Sequence, residues 1–104
     1  MTISLKNTVN LASAADSRAL VTREQGKALL TKVLIHLQQG GEIVLDLDGT
    51  EALSPSFADE LFAGLDAALG AQFKRLVRIS CKKAEWKRLI SSALQHRRRT
   101  PRTL

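Results

Sequence analysis

The residues best equipped for chemistry lie between Ile43 and Leu65, in the run IVLDLDGTEALSPSFADELFAGL. An apolar stretch there ends in Asp46-Leu47-Asp48-Gly49-Thr50. Two carboxylates at the carboxyl end of a strand can hold a hard cation, and one of them can attack a phosphoryl group. The same pair can instead close a turn, because aspartate side chains hydrogen-bond nearby backbone. A few residues on, the chain reads Ser54-Pro55-Ser56-Phe57-Ala58-Asp59-Glu60. Serine before proline opens a helix, with the hydroxyl as cap and proline at the first helical position. A helix mouth carries unpaired N–H groups and a partial positive charge, which suits a phosphate or an acidic side chain. Both serines also have a structural reading: Ser54 as the cap, and Ser56 with Asp59 at capping-box spacing.

These residues depend on the elements that carry them. Thr2 to Val9 alternates Ile3, Leu5 and Val9 and predicts a short half-buried strand. Asn10 to Leu20 is rich in Ala and Ser and reads as a mobile connector. Its Ser17-Arg18 pair, with Arg23 beyond it, either binds an anion or locks the loop onto the domain, and the second use is favoured. Thr22 stands three residues before Gln25, the spacing of a capping box, and Leu29, Leu30, Val33, Leu34 and Leu37 give the following helix its apolar face. Gly40-Gly41 stops that helix. Ile43 to Leu47 reads as a central parallel strand. Phe57, Leu61, Leu65 and Ala68 predict the buried face of a second helix, ended by Gly70. Leu76, Val77 and Ile79 predict a further strand, and Trp86, Leu89, Ile90, Ala93 and Leu94 the apolar face of a third helix. The order β-α-β-α-β-α implies a small α/β domain with a mainly parallel or mixed sheet of three to four strands and three helices. That domain is expected over residues 1–96, with 97–104 a basic, disordered tail.

Composition narrows the function. The 104 residues suffice for one modest core, and with three Phe, one Trp and no Tyr that core must be mainly aliphatic. No run of about 18 apolar residues is present, so no membrane span is expected. The segment MTISLKNTVNL lacks a basic and an apolar region of signal-peptide type. A single Cys81 fits a reducing, cytoplasmic setting, and no His or second Cys nearby supports a redox role. His36 and His96 lack ligand spacing, so neither a metal nor another cofactor is expected. The net charge of +6 is uneven: residues 1–70 carry −4 and residues 71–104 carry +10. Lys83, Lys87, Arg88, Arg97, Arg98, Arg99 and Arg102 form a basic patch that reads first as a solvated face. Its rival reading is an accessory nucleic-acid contact, driven by phosphates and weakened by salt. No exposed aromatic platform or reading motif supports sequence-specific binding.

Two family resemblances emerge from these residues. Asp46-x-Asp48-Gly49-Thr50 resembles the first motif of the haloacid-dehalogenase superfamily, which implies Asp46 as nucleophile and Asp48 as acid/base beside Mg²⁺. Ser80, Lys82 and Lys83 would have to supply the later motifs. Glu85 is the sole acid after Asp66, so the late acidic pair of that superfamily has no counterpart.

The second resemblance covers more of the chain. TISLKN, the Ser-Arg segment, the first helix and GGEIVLDLDGTEALSPSFADELFAGL together resemble the STAS-like domain family of unknown function, over residues 2–95. SPSFADEL is its most specific piece. The resemblance implies a non-enzymatic bacterial regulatory module related to anti-anti-sigma factors, which acts by contact with an ATPase-type kinase or another signalling protein. It also implies that Ser56, or less directly Ser54, is the phospho-acceptor, with Thr50, Glu51, Phe57, Asp59 and Glu60 as the contact face. Two departures stand out: Ser54 replaces the family's aspartate, and Phe57 replaces its glycine.

Overall fold

The computed structural model describes residues 7–99. Strand β1 (Asn7–Asn10) leads into a short helix α1 (Leu11–Ala15), a two-residue strand β2 (Ala19–Leu20) and helix α2 (Arg23–Gln38). Strands β3 (Ile43–Asp46) and β4 (Ala52–Leu53) follow. The next helical rod comprises α3 (Pro55–Ala58), a π-helical turn (Asp59–Ala63) and α4 (Gly64–Leu69). A 3₁₀ turn (Gly70–Gln72), helix α5 (Phe73–Leu76), strand β5 (Val77–Ser80) and helix α6 (Ala84–Arg99) complete it.

Two parallel sheets result, β1-β3-β5 and β2-β4. Ile43 pairs with Asn7 on one side and Val77 on the other, which makes β3 the central strand. Ile43 and Leu45 are fully buried while Val44 and Asp46 are half-buried, so one sheet face carries the core. Ile3 and Leu5 of the expected first strand fall outside the described residues. Among those described, no helix is long and apolar enough to cross a membrane.

Helix α2 begins as its sequence indicates. The Thr22 hydroxyl accepts from the Gln25 N–H, and the Gln25 side chain accepts from the Thr22 N–H. It ends at Gly40 and Gly41, whose φ angles of +94° and +95° favour glycine.

Three expectations change. The 10–20 connector is ordered: Asn10 caps α1, Leu11 and Leu20 are fully buried, and β2 pairs with β4. Ala68 is exposed, because the π turn shifts the register and α4 buries Leu65 and Asp66 instead. Helix α6 runs through Arg99, three residues into the segment expected as a tail.

The rod 55–69 fills the space between α2 and α6. Phe57, Ala58, Leu61, Phe62 and Leu65 are all fully buried on it. Its approach to α2 depends on Gly26, where an added Cβ would lie 2.7 Å from Glu60 Cβ and 3.2 Å from the Phe57 carbonyl oxygen. At Gly64 the closest atom is the mobile end of Leu30, at 2.9 Å. Gly26→Ala must therefore move backbone, at a cost of about 2 kcal/mol against the ~1 kcal/mol that alanine returns in helix propensity. Thermal unfolding should show Gly26→Ala lowering the midpoint by about 4–8 °C, with Gly64→Ala close to wild type.

Candidate functional site

The Asp46–Thr50 loop is held by its own aspartates. Asp46 Oδ1 accepts from the Asp48 N–H at 3.0 Å, and Asp46 Oδ2 accepts from Asn10 Nδ2 at 3.3 Å. Asn10 Nδ2 also donates to the Asp48 carbonyl at 2.9 Å. The Leu47 N–H donates to the Ser80 carbonyl, which carries the β3–β5 pairing one residue past β3. Gly49 turns the chain at φ +89°, and the Thr50 N–H closes the turn onto the Leu47 carbonyl at 3.0 Å. The two carboxylates thus serve the turn. Among the described residues, no three His, Cys, Asp or Glu side chains gather as metal ligands.

The serine segment is fixed from two directions. The Arg18 carbonyl accepts from the N–H groups of Glu51 and Ala52, and Arg18 Nη1 pairs with Glu51 Oε2 at 3.1 Å. The Ser17–Arg18 element therefore locks the loop onto the domain. Ser54 N–H donates to the Leu20 carbonyl, and the Ser54 hydroxyl donates to the Val21 carbonyl at 2.8 Å while accepting from the Phe57 N–H at 3.1 Å. Ser54 is the helix cap and has both hydrogen-bonding functions in use.

Ser56 is different. It is half-buried, and its hydroxyl makes no hydrogen bond among the described residues. The capping box read from Ser56 and Asp59 does not form: Ser56 lies inside the first turn, and the Asp59 N–H bonds to the Pro55 and Ser56 carbonyls. Ser56 lines a groove of about 380 Å³ with Arg23, Pro55, Asp59, Leu89 and Ala93, between the start of α2, the start of α3 and the middle of α6. Arg23 Nη1 lies 3.0 Å from Glu60 Oε1 and 3.9 Å from Asp59 Oδ2.

The other sequence-derived site residues divide by exposure. Glu51 and Asp59 are exposed and Glu60 is half-buried. Thr50 and Phe57 instead lie inside, at 5% and 0% exposure, because the turn and the rod carry them into the core. Neither offers a contact surface in this conformation. Lys83, Lys87 and Arg88 are exposed on or next to α6, and the Lys83 ammonium stands 5.1 Å from the Trp86 ring centre. Arg97, Arg98 and Arg99 belong to α6, whereas Arg102 lies outside the described residues. Arg23 and Leu89 entered the groove without being read as site residues, since only tertiary packing brings α2 and α6 to α3.

A parallel sheet backed by helices, with a serine-capped helix after its central strand, places the chain among STAS-type α/β domains. Residues 25–83 match the STAS-like domain of unknown function, and the chain belongs to that family. The match takes in the Asp46 turn and all of Ser54–Glu60, and is shorter than the resemblance read over 2–95. Domains of this kind are generally non-catalytic regulatory modules. No curated protein and no solved structure gives a significant match.

The two serines should separate in a stability measurement. Ser54→Ala removes a cap and leaves the Val21 carbonyl without that donor, for a loss of about 1–2 kcal/mol in urea unfolding. Ser56→Ala should stay within about 0.5 kcal/mol of wild type.

Proposed function

We propose that this chain is a regulatory module that works by docking onto a signalling protein, an ATPase-type kinase or a comparable regulator, with Ser56 as its switch. The supporting observation is the contrast between the serines. Ser54 is committed to the fold, while Ser56 carries an uncommitted hydroxyl in a groove beside Arg23. The contact face combines Glu51, Asp59 and Glu60 with the groove walls contributed by α2 and α6.

A phosphate on Ser56 adds nearly two negative charges within the first helical turn, where the dipole favours them. Arg23 then has a stronger acceptor than the Glu60 carboxylate. Its transfer to the phosphate releases Glu60 and Asp59 and makes the docking face more acidic, with no change of fold. The switch is thus an exchange of ion-pair partners at the surface.

The test is incubation with the kinase-like ATPase encoded next to this protein, with ATP, followed by intact-mass measurement and pull-down. Wild type should gain one phosphate and change its affinity for the partner. Ser56→Ala should gain none while remaining folded, and Arg23→Gln should still gain phosphate but lose most of the affinity change. Failure of wild type both to gain phosphate and to form a complex would sink the kinase-partner reading.

A further inference from the structure

A cavity of about 170 Å³ opens at the carboxyl ends of β3 and β5, lined by Asp48, Thr50, Ser80, Lys82, Lys83 and Trp86 among others. Neither Ser56 nor Arg23 lines it, so a ligand bound there is independent of the docking face. Its chemistry is set by a buried hydroxyl, two lysines, a helix start and the strand ends.

Thr50 is 5% exposed, and its hydroxyl is buried without a hydrogen-bond partner. Buried hydroxyls are almost always paired, because an unpaired one forfeits its hydration with no return. Lys82 and Lys83 are exposed, and neither forms a salt bridge among the described residues. Helix α6 begins at the same rim: the Lys83 carbonyl accepts its first bond, from the Lys87 N–H. The first N–H groups of any helix have no partner within it and favour negative charge. Finally, the carboxyl ends of parallel strands are where open α/β sheets bind their ligands.

The sign of the ligand is decided by the carboxylates nearby. Both Asp46 oxygens already accept hydrogen bonds from Asn10 and from the Asp48 N–H. Asp48 is exposed at the rim, together with two ammonium groups that have no salt-bridge partner among the described residues. The chain from residue 71 onward carries +10, so the wider field also attracts anions. The volume is below the roughly 300 Å³ at which sites for drug-sized ligands begin, which restricts the occupant to a small group. We propose that this cavity binds the phosphate group of a small molecule. The Thr50 and Ser80 hydroxyls donate to its oxygens, and Lys82 and Lys83 balance its charge.

Trp86 reports on the site directly, because it is the chain's one tryptophan and lines the cavity beneath the Lys83 ammonium. Its emission should be titrated with inorganic phosphate at constant ionic strength, with chloride as the control and thermal unfolding as a second readout. The expected result is a saturable emission change and a raised unfolding midpoint with phosphate but not with chloride. Thr50→Val should leave the midpoint of the free protein unchanged or higher while weakening phosphate binding about tenfold, the effect of one lost hydrogen bond to a charged group. Lys82→Gln should weaken it too, and Lys87→Gln, outside the cavity, should not. A parallel titration with phenyl phosphate separates the sources: tighter binding than phosphate assigns the site to a monoester, weaker binding to the free ion. The proposal is overturned by a change that chloride reproduces, or by Thr50→Val and Lys82→Gln titrations that superimpose on wild type. It is equally overturned if Thr50→Val lowers the free protein's midpoint, since the hydroxyl would then be serving the fold.

Discussion

Everything near the proposed docking face depends on one steric constraint, the burial of rod 55–69 between α2 and α6. Phe57, Leu61, Phe62 and Leu65 have no exposure, and Gly26 lets α2 come within contact of the Glu60 Cβ and the Phe57 carbonyl. A rod held that tightly cannot shift or rotate without opening the core, since close-packed interiors resist small displacements. Its first turn is therefore a fixed platform. Ser56, Asp59 and Glu60 owe their positions to side chains on the other faces of the same helix.

The electrostatics around that platform are of a different kind. Arg18–Glu51 and the Arg23 pairs with Asp59 and Glu60 join largely exposed groups. Such pairs contribute about 0–1 kcal/mol and are screened by salt. They orient the surface more than they stabilise the fold, and exchanging one partner for another costs little. A rigid apolar interior under a loosely committed polar surface is what a contact switch requires, because new charge can change the surface and leave the scaffold alone.

The parts of this arrangement legible in the sequence are those fixed by local chemistry. Thr22 and Gln25 are close enough in sequence to cap α2 by themselves, Gly40 and Gly41 adopt backbone angles that favour glycine, and Ser54-Pro55 sets the helix start through its own hydroxyl and ring. What escaped is what tertiary packing decides. Strands β2 and β4 have two residues each, too few to show any period, and exist because Ala19 and Leu20 meet Ala52 and Leu53. Helix α1 buries Leu11 alone, so its sequence carries no apolar stripe. The π turn at Asp59–Ala63 displaced Ala68 from the core, a change of register that an i, i+4 pattern does not encode. Arg23 reaches the groove only because α2 packs beside α3.

Asp46-x-Asp48-Gly49-Thr50 shows the same division within five residues. As a sequence it matches a phosphotransfer motif, since carboxylates at a strand end are what that chemistry needs. In the fold, Asp46 accepts bonds from Asn10 on the neighbouring strand and from the following loop, so its oxygens tie β1, β3 and the turn together. A nucleophilic carboxylate needs an oxygen free to approach phosphorus, and here both already serve as acceptors. The turn so formed carries the Thr50 hydroxyl inward, beside Ser80 and the start of α6, where it lacks a partner. The strand-end aspartates thus shape a small polar cavity whose charge comes from lysines just past the neighbouring strand. The motif's chemistry passes from the carboxylates to the pocket they hold open.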